Sequence, residues 1–132
     1  MSEFDNVDVW IGKAETTDRI QELLAEIDDF HEVEDKPISE FAVTQNVIFY
    51  DHDFVGCETV SELVAPADVL GSAFSDSFRD RVRLAAKENG IENANAILFV
   101  WGQAISEPLD IDVRGCIMHY VGTLDFRDGW NR

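Results

Sequence analysis

Asp51-His52-Asp53 is the triplet best suited by residue type to hold a metal ion or move a proton. On an extended chain side chains alternate, so Asp51 and Asp53 share a face while His52 points away. Two carboxylates can enter a Mg²⁺ or Ca²⁺ shell, but such a shell needs further oxygen ligands. No second acidic motif supplies them at a recognisable spacing, and the triplet reads as a surface turn with solvated acids. His31, His52 and His119 are dispersed, and Cys57 and Cys116 form no Cys-x-x-Cys. The chain has no G-x-S-x-G elbow and no H-E-x-x-H helix. Gly12-Lys13 lacks the upstream glycine of a phosphate loop, and Gly71 stands alone. The expectation is a protein that is not an enzyme and uses no cofactor or metal.

What the chain does carry is charge. Its formal net charge is −17, laid down unevenly. Residues 1–62 hold 17 carboxylates against Lys13, Arg19 and Lys36, a balance of −14, and residues 63–132 hold 10 against 7 cations, a balance of −3. A one-sided acidic surface repels nucleic acid and anionic membrane and attracts a basic protein. Solubility or salt adaptation is the competing reading, but that pressure acts on a whole surface and does not favour one half. The first residues are acidic, and no apolar run approaches the roughly 18 residues of a membrane span. A cytoplasmic protein with reduced thiols is expected, with Cys116 a small buried hydrophobe.

Periodicity gives the elements that must place these charges. Val7, Val9 and Ile11 alternate with Asp8 and Trp10 as in a half-buried strand, which Gly12 should end. Thr16 or Thr17 can cap a helix with Asp18 in its first turn. Ile20, Leu23, Leu24 and Ile27 form its inner stripe, and Asp18, Glu22, Glu26 and then Asp29 line another face. The connection from Asp28 to Lys36 is acidic. Pro37 suits the first turn of a short helix over 38–44 with Phe41 inward. Val47-Ile48-Phe49-Tyr50 reads as a strand running toward Val55, punctuated by Gly56. Leu63 and Val64 fit a short helix that Pro66 ends.

The clearest helix spans about 75–89, capped by Ser75 or Ser77. Phe78, Val82, Ala85 and Ala86 face inward, and Gly90 stops it. Its Arg79, Arg81, Arg83 and Lys87 resemble a nucleic-acid stripe, but in so acidic a chain they should pair with local acids. Residues 96–101 form a central strand buried on both faces. Residues 116–126 form a second long strand, with Cys116, Met118, Tyr120, Leu124 and Phe126 on one side, expected to pair antiparallel with 96–101. Trp130 either docks on the sheet or stays exposed. The whole predicts one α+β domain over 1–132: a small, mostly antiparallel sheet packed by two main helices and one short helix.

Five stretches in order carry a family likeness: Val9-Trp10-Ile11-Gly12, Ser39-Glu40-Phe41-Ala42, Tyr50-Asp51-His52-Asp53-Phe54, Ser72-Ala73-Phe74-Ser75-Asp76-Ser77-Phe78, and Asn93-Ala94-Asn95-Ala96-Ile97-Leu98. Over about residues 7–104 the chain resembles the immunity protein 22 family of bacterial polymorphic toxin systems. The resemblance implies a small α+β protein that binds and neutralises a cognate toxin domain. It implies no catalytic residue. Gln45-Asn46 stands where the resemblance implies an acidic residue and a glycine, so the loop there is expected to differ.

The expected partner is a basic toxin domain such as a nuclease. The expected contact residues are Asp18, Glu22, Glu26, Asp29, Glu32, Glu34, Asp35, Asp51 and Asp53, with Tyr50 and Trp10 as short-range aromatic anchors. The competing expectation is a small regulatory or housekeeping domain, homodimeric through a sheet edge or Trp130, whose acidity serves solubility.

Overall fold

Asn6–Ala14 forms β1, and every residue in it but Asn6 and Lys13 is buried. A strand apolar on both faces cannot lie at a sheet edge or under a single layer. In a computed structural model, which describes residues 5–27, 36–102 and 104–131, β1 is accordingly the central strand of a five-stranded antiparallel sheet. The remaining strands are β2 (Val55–Val64), β3 (Ala94–Trp101), β4 (Ile111–Val113) and β5 (Cys116–Asp125), in the spatial order β2-β3-β1-β5-β4. The expected pairing of 116–126 with 96–101 is therefore corrected. β1 lies between them, bonded to β3 on one side and β5 on the other.

Gly12 does not end β1. It pairs with Ala96 and Met118 inside the sheet. A Cβ at this position would come 2.6 Å from Met118 Cα and closer still to the Ile117 carbonyl oxygen. The glycine is there for close approach of backbones rather than for a turn.

β5 carries a bulge. Val9 of β1 faces Gly122 and Trp10 faces Tyr120, so Val121 is the extra residue. Gly122 takes a φ of 122°, which L side chains rarely adopt. The bulge changes which side the strand presents. Cys116, Met118 and Tyr120 pack with Trp10, whereas Leu124 and Phe126 pack with Val7 and Val9 on the opposite face. The single apolar side expected along 116–126 is thus split in two.

Each face has its own cover. On one face α1 (Thr17–Leu24) and α2 (Glu40–Thr44) set Ile20, Leu23, Phe41 and Ala42 against Trp10, Leu98 and Met118. On the other, a 3₁₀ turn over Pro66–Val69 and α3 (Asp76–Glu88) bring Val69, Phe78, Val82 and Ala86 against Ile11, Ile97 and Phe99. The fold is one small α+β unit, and the antiparallel sheet, two longer helices and one short helix are as expected. Two local readings are corrected. Residues 47–50 are not a strand, and β2 begins only at Val55, with Gly56 inside it. Pro66 starts a turn instead of ending a helix, because its fixed φ suits a first helical position.

α3 is the element whose signals all agree. Ser75 Oγ accepts the Phe78 amide at 3.1 Å, and Gly90 at φ 70° lets the Ile91 amide reach the Ala86 carbonyl at 2.9 Å. Thr16 sits at the same position before α1, but its side chain makes no capping bond. Trp130 docks: it stacks on Phe74 and Trp101 and meets Phe126 edge-on, with about half its surface open.

Two stability predictions follow from these contacts. Gly12→Ala should cost about 2–3 kcal/mol in urea unfolding, because backbone atoms, not a flexible side chain, occupy the new Cβ's space. Ser75→Ala should cost about 1 kcal/mol, while Thr16→Ala should change stability by only a few tenths. Equal costs at Ser75 and Thr16 would contradict the difference in capping.

Candidate functional site

The exposed carboxylates named from the sequence sit on the face of the sheet covered by α1 and α2. Ile20 and Leu23 turn inward, which leaves Asp18 and Glu22 exposed on α1. The helix stops at Leu24, a turn short of what the four-residue spacing implied, since Ala25 is already extended. Glu26 therefore belongs to the segment after the helix and not to a helical row. It lies with Gln21, His52 and Cys57 around a shallow cleft between the end of α1 and the start of β2. That cleft brings Glu26 close to the Asp51-His52-Asp53 turn. Asp29, Glu32, Glu34 and Asp35 lie outside the described residues.

Asp51-His52-Asp53 is not extended. Residues His52–Phe54 make one 3₁₀ turn, and Asp51 Oδ1 accepts the Asp53 amide at 2.9 Å. Both carboxylates remain exposed. Among the described residues, no group of three or more His, Cys, Asp or Glu is close enough to hold a metal ion.

The two aromatic anchors are corrected. Tyr50 is 3% exposed; its hydroxyl is 2.6 Å from Ser39 Oγ, and its ring packs edge-on against Phe41. Burial pushes its hydroxyl pKa up, so it stays a neutral partner of Ser39. Trp10 is fully buried, its indole N–H donating to the Leu109 carbonyl at 2.8 Å. Neither ring is at the surface. Both hold the α1–α2 layer from behind, as central-strand burial and a hydroxyl partner demand.

Arg79, Arg81 and Arg83 lie across the sheet on α3, and each has a local partner, whereas the expected pairing of Lys87 with a local acid is absent among the described residues. Arg79 donates to the carbonyls of Ala67, Leu70 and Gly71, tying α3 to the 3₁₀ turn. Arg81 holds Asp128 at 2.6 Å and the Asp125 carbonyl at 3.1 Å, and Arg83 pairs with Asp80. The expected pairing with local acids holds for Arg81 and Arg83, whereas Arg79 serves main-chain carbonyls. Hydrogen bonds from Arg127 hold the Asp125 carboxyl well below the usual carboxylate range, and the hydrogen bond from Arg81 lowers that of Asp128. On the acidic side Arg19 makes a two-pronged bond to Glu40 at 2.7 and 3.0 Å and donates to the Arg114 carbonyl. Glu40 is thereby neutralised, and Arg19 clamps α1 to α2.

A larger cleft of about 860 Å³ opens between the end of α3 and the β4–β5 hairpin, lined by Lys13, Glu15, Glu92, Arg114, Cys116 and His119 among others. Burial pushes the Cys116 thiol up to about 11, so it is protonated at neutral pH and a poor nucleophile. His119 is exposed, 3.8 Å from Asp110, and does not face the thiol as a base would need to. Burial also raises the Cys57 thiol, with the Glu58 charge adding to it. These groups do not assemble an activated nucleophile.

Sequence reasoning missed Ile48 and Phe49. The apolar run 47–50 reads as a strand, yet it forms none, and both side chains are exposed. The available signal was the absence of alternation between Val47 and Tyr50.

No curated protein and no solved structure matches the chain. A family model does match, that of Immunity protein 22, over residues 7–127. The match runs beyond residue 104, where the likeness read from the sequence stopped, and takes in β4, β5 and Phe126. The motif stretches fall in β1, at the start of α2, in the 52–54 turn, at the entry to α3 and in β3, and the family match spans all of them: the chain belongs to the Immunity protein 22 family, and its general role is that of an immunity protein toward a cognate toxin.

Proposed function

We propose that this chain neutralises a basic toxin domain, with a nuclease the favoured chemistry, by docking its acidic α1–α2 side on the toxin's cationic surface. It acts as a stoichiometric inhibitor without catalysis, in the cytoplasm of the producing cell. The observation that carries the reading is where charge falls on a chain of this family. Asp18, Glu22, Glu26, Asp51 and Asp53 are exposed on one cover of the sheet, while Arg79, Arg81 and Arg83 sit on the other and have local partners. Asp29, Glu32, Glu34 and Asp35 belong to the connection between α1 and α2 and add to the same proposed contact.

A nuclease keeps cations where phosphates bind, and a carboxylate-rich surface is their natural competitor. Such complementarity acts over about 10 Å at 0.1 M salt. It raises association toward roughly 10⁸–10⁹ M⁻¹s⁻¹ at low salt. Among the described residues no helix is long and apolar enough to cross a membrane.

Two measurements test the reading. Co-expression with the C-terminal domain encoded by the neighbouring reading frame should restore growth and co-purify a complex; failure of both would leave only family membership standing. In stopped-flow mixing at low salt, Glu22→Lys, Glu26→Lys and Asp53→Lys together should slow association at least about ten-fold with an unchanged fold. An unaltered association rate would remove this face from the contact.

A further inference from the structure

Exposed apolar side chains stand at one corner of the fold, on α2, in the loop after it and in the segment that the Gln45 side chain binds. Among the described residues, eight large hydrophobic side chains are exposed, and Val43, Ile48, Phe49 and Leu109 are four of them. Phe49 is the most open, at 61%. Val43 is on α2, and Ile48 and Phe49 follow in the loop after it. Leu109 comes from a segment 64 residues later, but the Gln45 side chain fixes its main chain. Gln45 Nε2 donates to the Leu109 carbonyl at 2.9 Å, and the Leu109 amide donates to Gln45 Oε1 at 2.7 Å.

This exposure is held, not incidental. Val47 packs against the core and Tyr50 is buried in it, so the loop is pinned on both sides of Ile48 and Phe49. The Ile38 amide donates to the Ile48 carbonyl at 2.8 Å, which fixes the main chain between those anchors. Asn46 takes a φ of 57°, in the left-handed region that Asn tolerates better than other side chains. A loop fixed in this way presents apolar groups at little further entropic cost on binding.

Charge says what covers them. Segments 45–54 and 104–110 together contain Asp51, Asp53, Glu107 and Asp110 and not one Lys or Arg, and all four carboxylates are exposed. A second copy of the chain would bring the same four acids against themselves. A partner with an apolar spot ringed by cations meets them without that repulsion.

We infer that Val43, Ile48, Phe49 and Leu109 form the apolar anchor of the contact with a cationic protein domain, with the surrounding carboxylates as its rim. This rests on the toxin-neutralising reading above and assigns a separate task to a separate set of residues. The acids set how fast the complex forms, and the corner sets how long it lasts.

The test uses the full chain and the C-terminal domain encoded by the neighbouring reading frame. Ile48→Ser with Phe49→Ser keeps every charge. It should speed dissociation at least about 30-fold and leave the association rate within about two-fold. Leu84→Ser, an equally exposed leucine on α3, should change neither rate. Val43→Lys is the second variant, since Lys suits a helix better than Val; it should both slow association and hasten dissociation. Wild-type binding with dissociation unaltered in the double serine variant would overturn the anchor and leave the toxin reading intact. No binding by the wild-type chain would overturn both. A wild-type dimer in sedimentation that the double serine variant dissolves, with toxin affinity unchanged, would reassign the corner to self-association and overturn the proposal.

Discussion

The fold depends on burying both faces of β1. A strand with Val7, Val9 and Ile11 on one face and Trp10 and Ala14 on the other needs two neighbours and two covers. The neighbours are β3 and β5, and Gly12 allows the β5 backbone close enough to pair with Trp10 through Ala14 beyond the bulge. The one carboxylate in this strand, Asp8, is buried and accepts hydrogen bonds from the Tyr120 hydroxyl at 2.7 Å and from Thr123 Oγ1 at 2.5 Å. Burial and the nearby Asp8 push the Tyr120 hydroxyl up to about 12, so it remains a donor across the whole physiological range. That pairing also pins β5 just where Val121 bulges.

The arginines of α3 and the acids of α1 lie on different covers of the sheet. α3 must carry its arginines on the outside of one cover, and there they find carbonyls and the acids of the C-terminal tail. α1 and the 3₁₀ turn at 52–54 carry acids on the outside of the other cover, where Arg19 is spent on Glu40. The arginines of α3 thus lie on one side of the sheet and Asp18 and Glu22 of α1 on the other, although Asp68, Asp76, Asp80 and Glu88 are exposed on the α3 side as well. Exposed ion pairs contribute little to stability, so Asp18, Glu22 and Asp53 can stay exposed at little cost to the fold, with Glu22 also attracting the Arg19 guanidinium.

Local signals were legible and non-local ones were not. The limits and inner stripe of α3 could be read from Ser75, Gly90 and the Phe78–Val82–Ala85 spacing, because capping and period act within a few residues. The neighbours of β1 and β5 could not, since strand order depends on which strand is apolar on both sides and on a one-residue bulge that period-two reasoning does not register. At the site, the exposed acids of α1 were found from the helical stripe that leaves them outside. Tyr50 was misplaced because an aromatic next to an acidic turn looks the same whether it faces water or Phe41, and Trp10 because a strand alternating with Asp8 reads as half-buried when both its faces are covered. Ile48 and Phe49 lie in a run that reads as a strand but forms none, and only the anchoring of Val47 and Tyr50 on either side shows why these two point out.

Gln45 and Asn46 close α2 and carry the chain into the loop that follows it. A glycine after α2 would allow the left-handed turn; Asn46 makes that turn at φ 57° with a side chain that bears it at modest cost. Gln45 is buried, and its amide satisfies both the carbonyl and the amide of Leu109, a task a carboxylate could only half perform because it has no donor. The same Leu109 carbonyl also accepts the Trp10 indole. One main-chain oxygen therefore joins the central strand, the short helix and the loop bearing Leu109, and the apolar corner is attached to the most deeply buried strand of the molecule. An anchor built that way does not have to be ordered by its partner, so the apolar contact it makes is not offset by the entropy of fixing a loose loop.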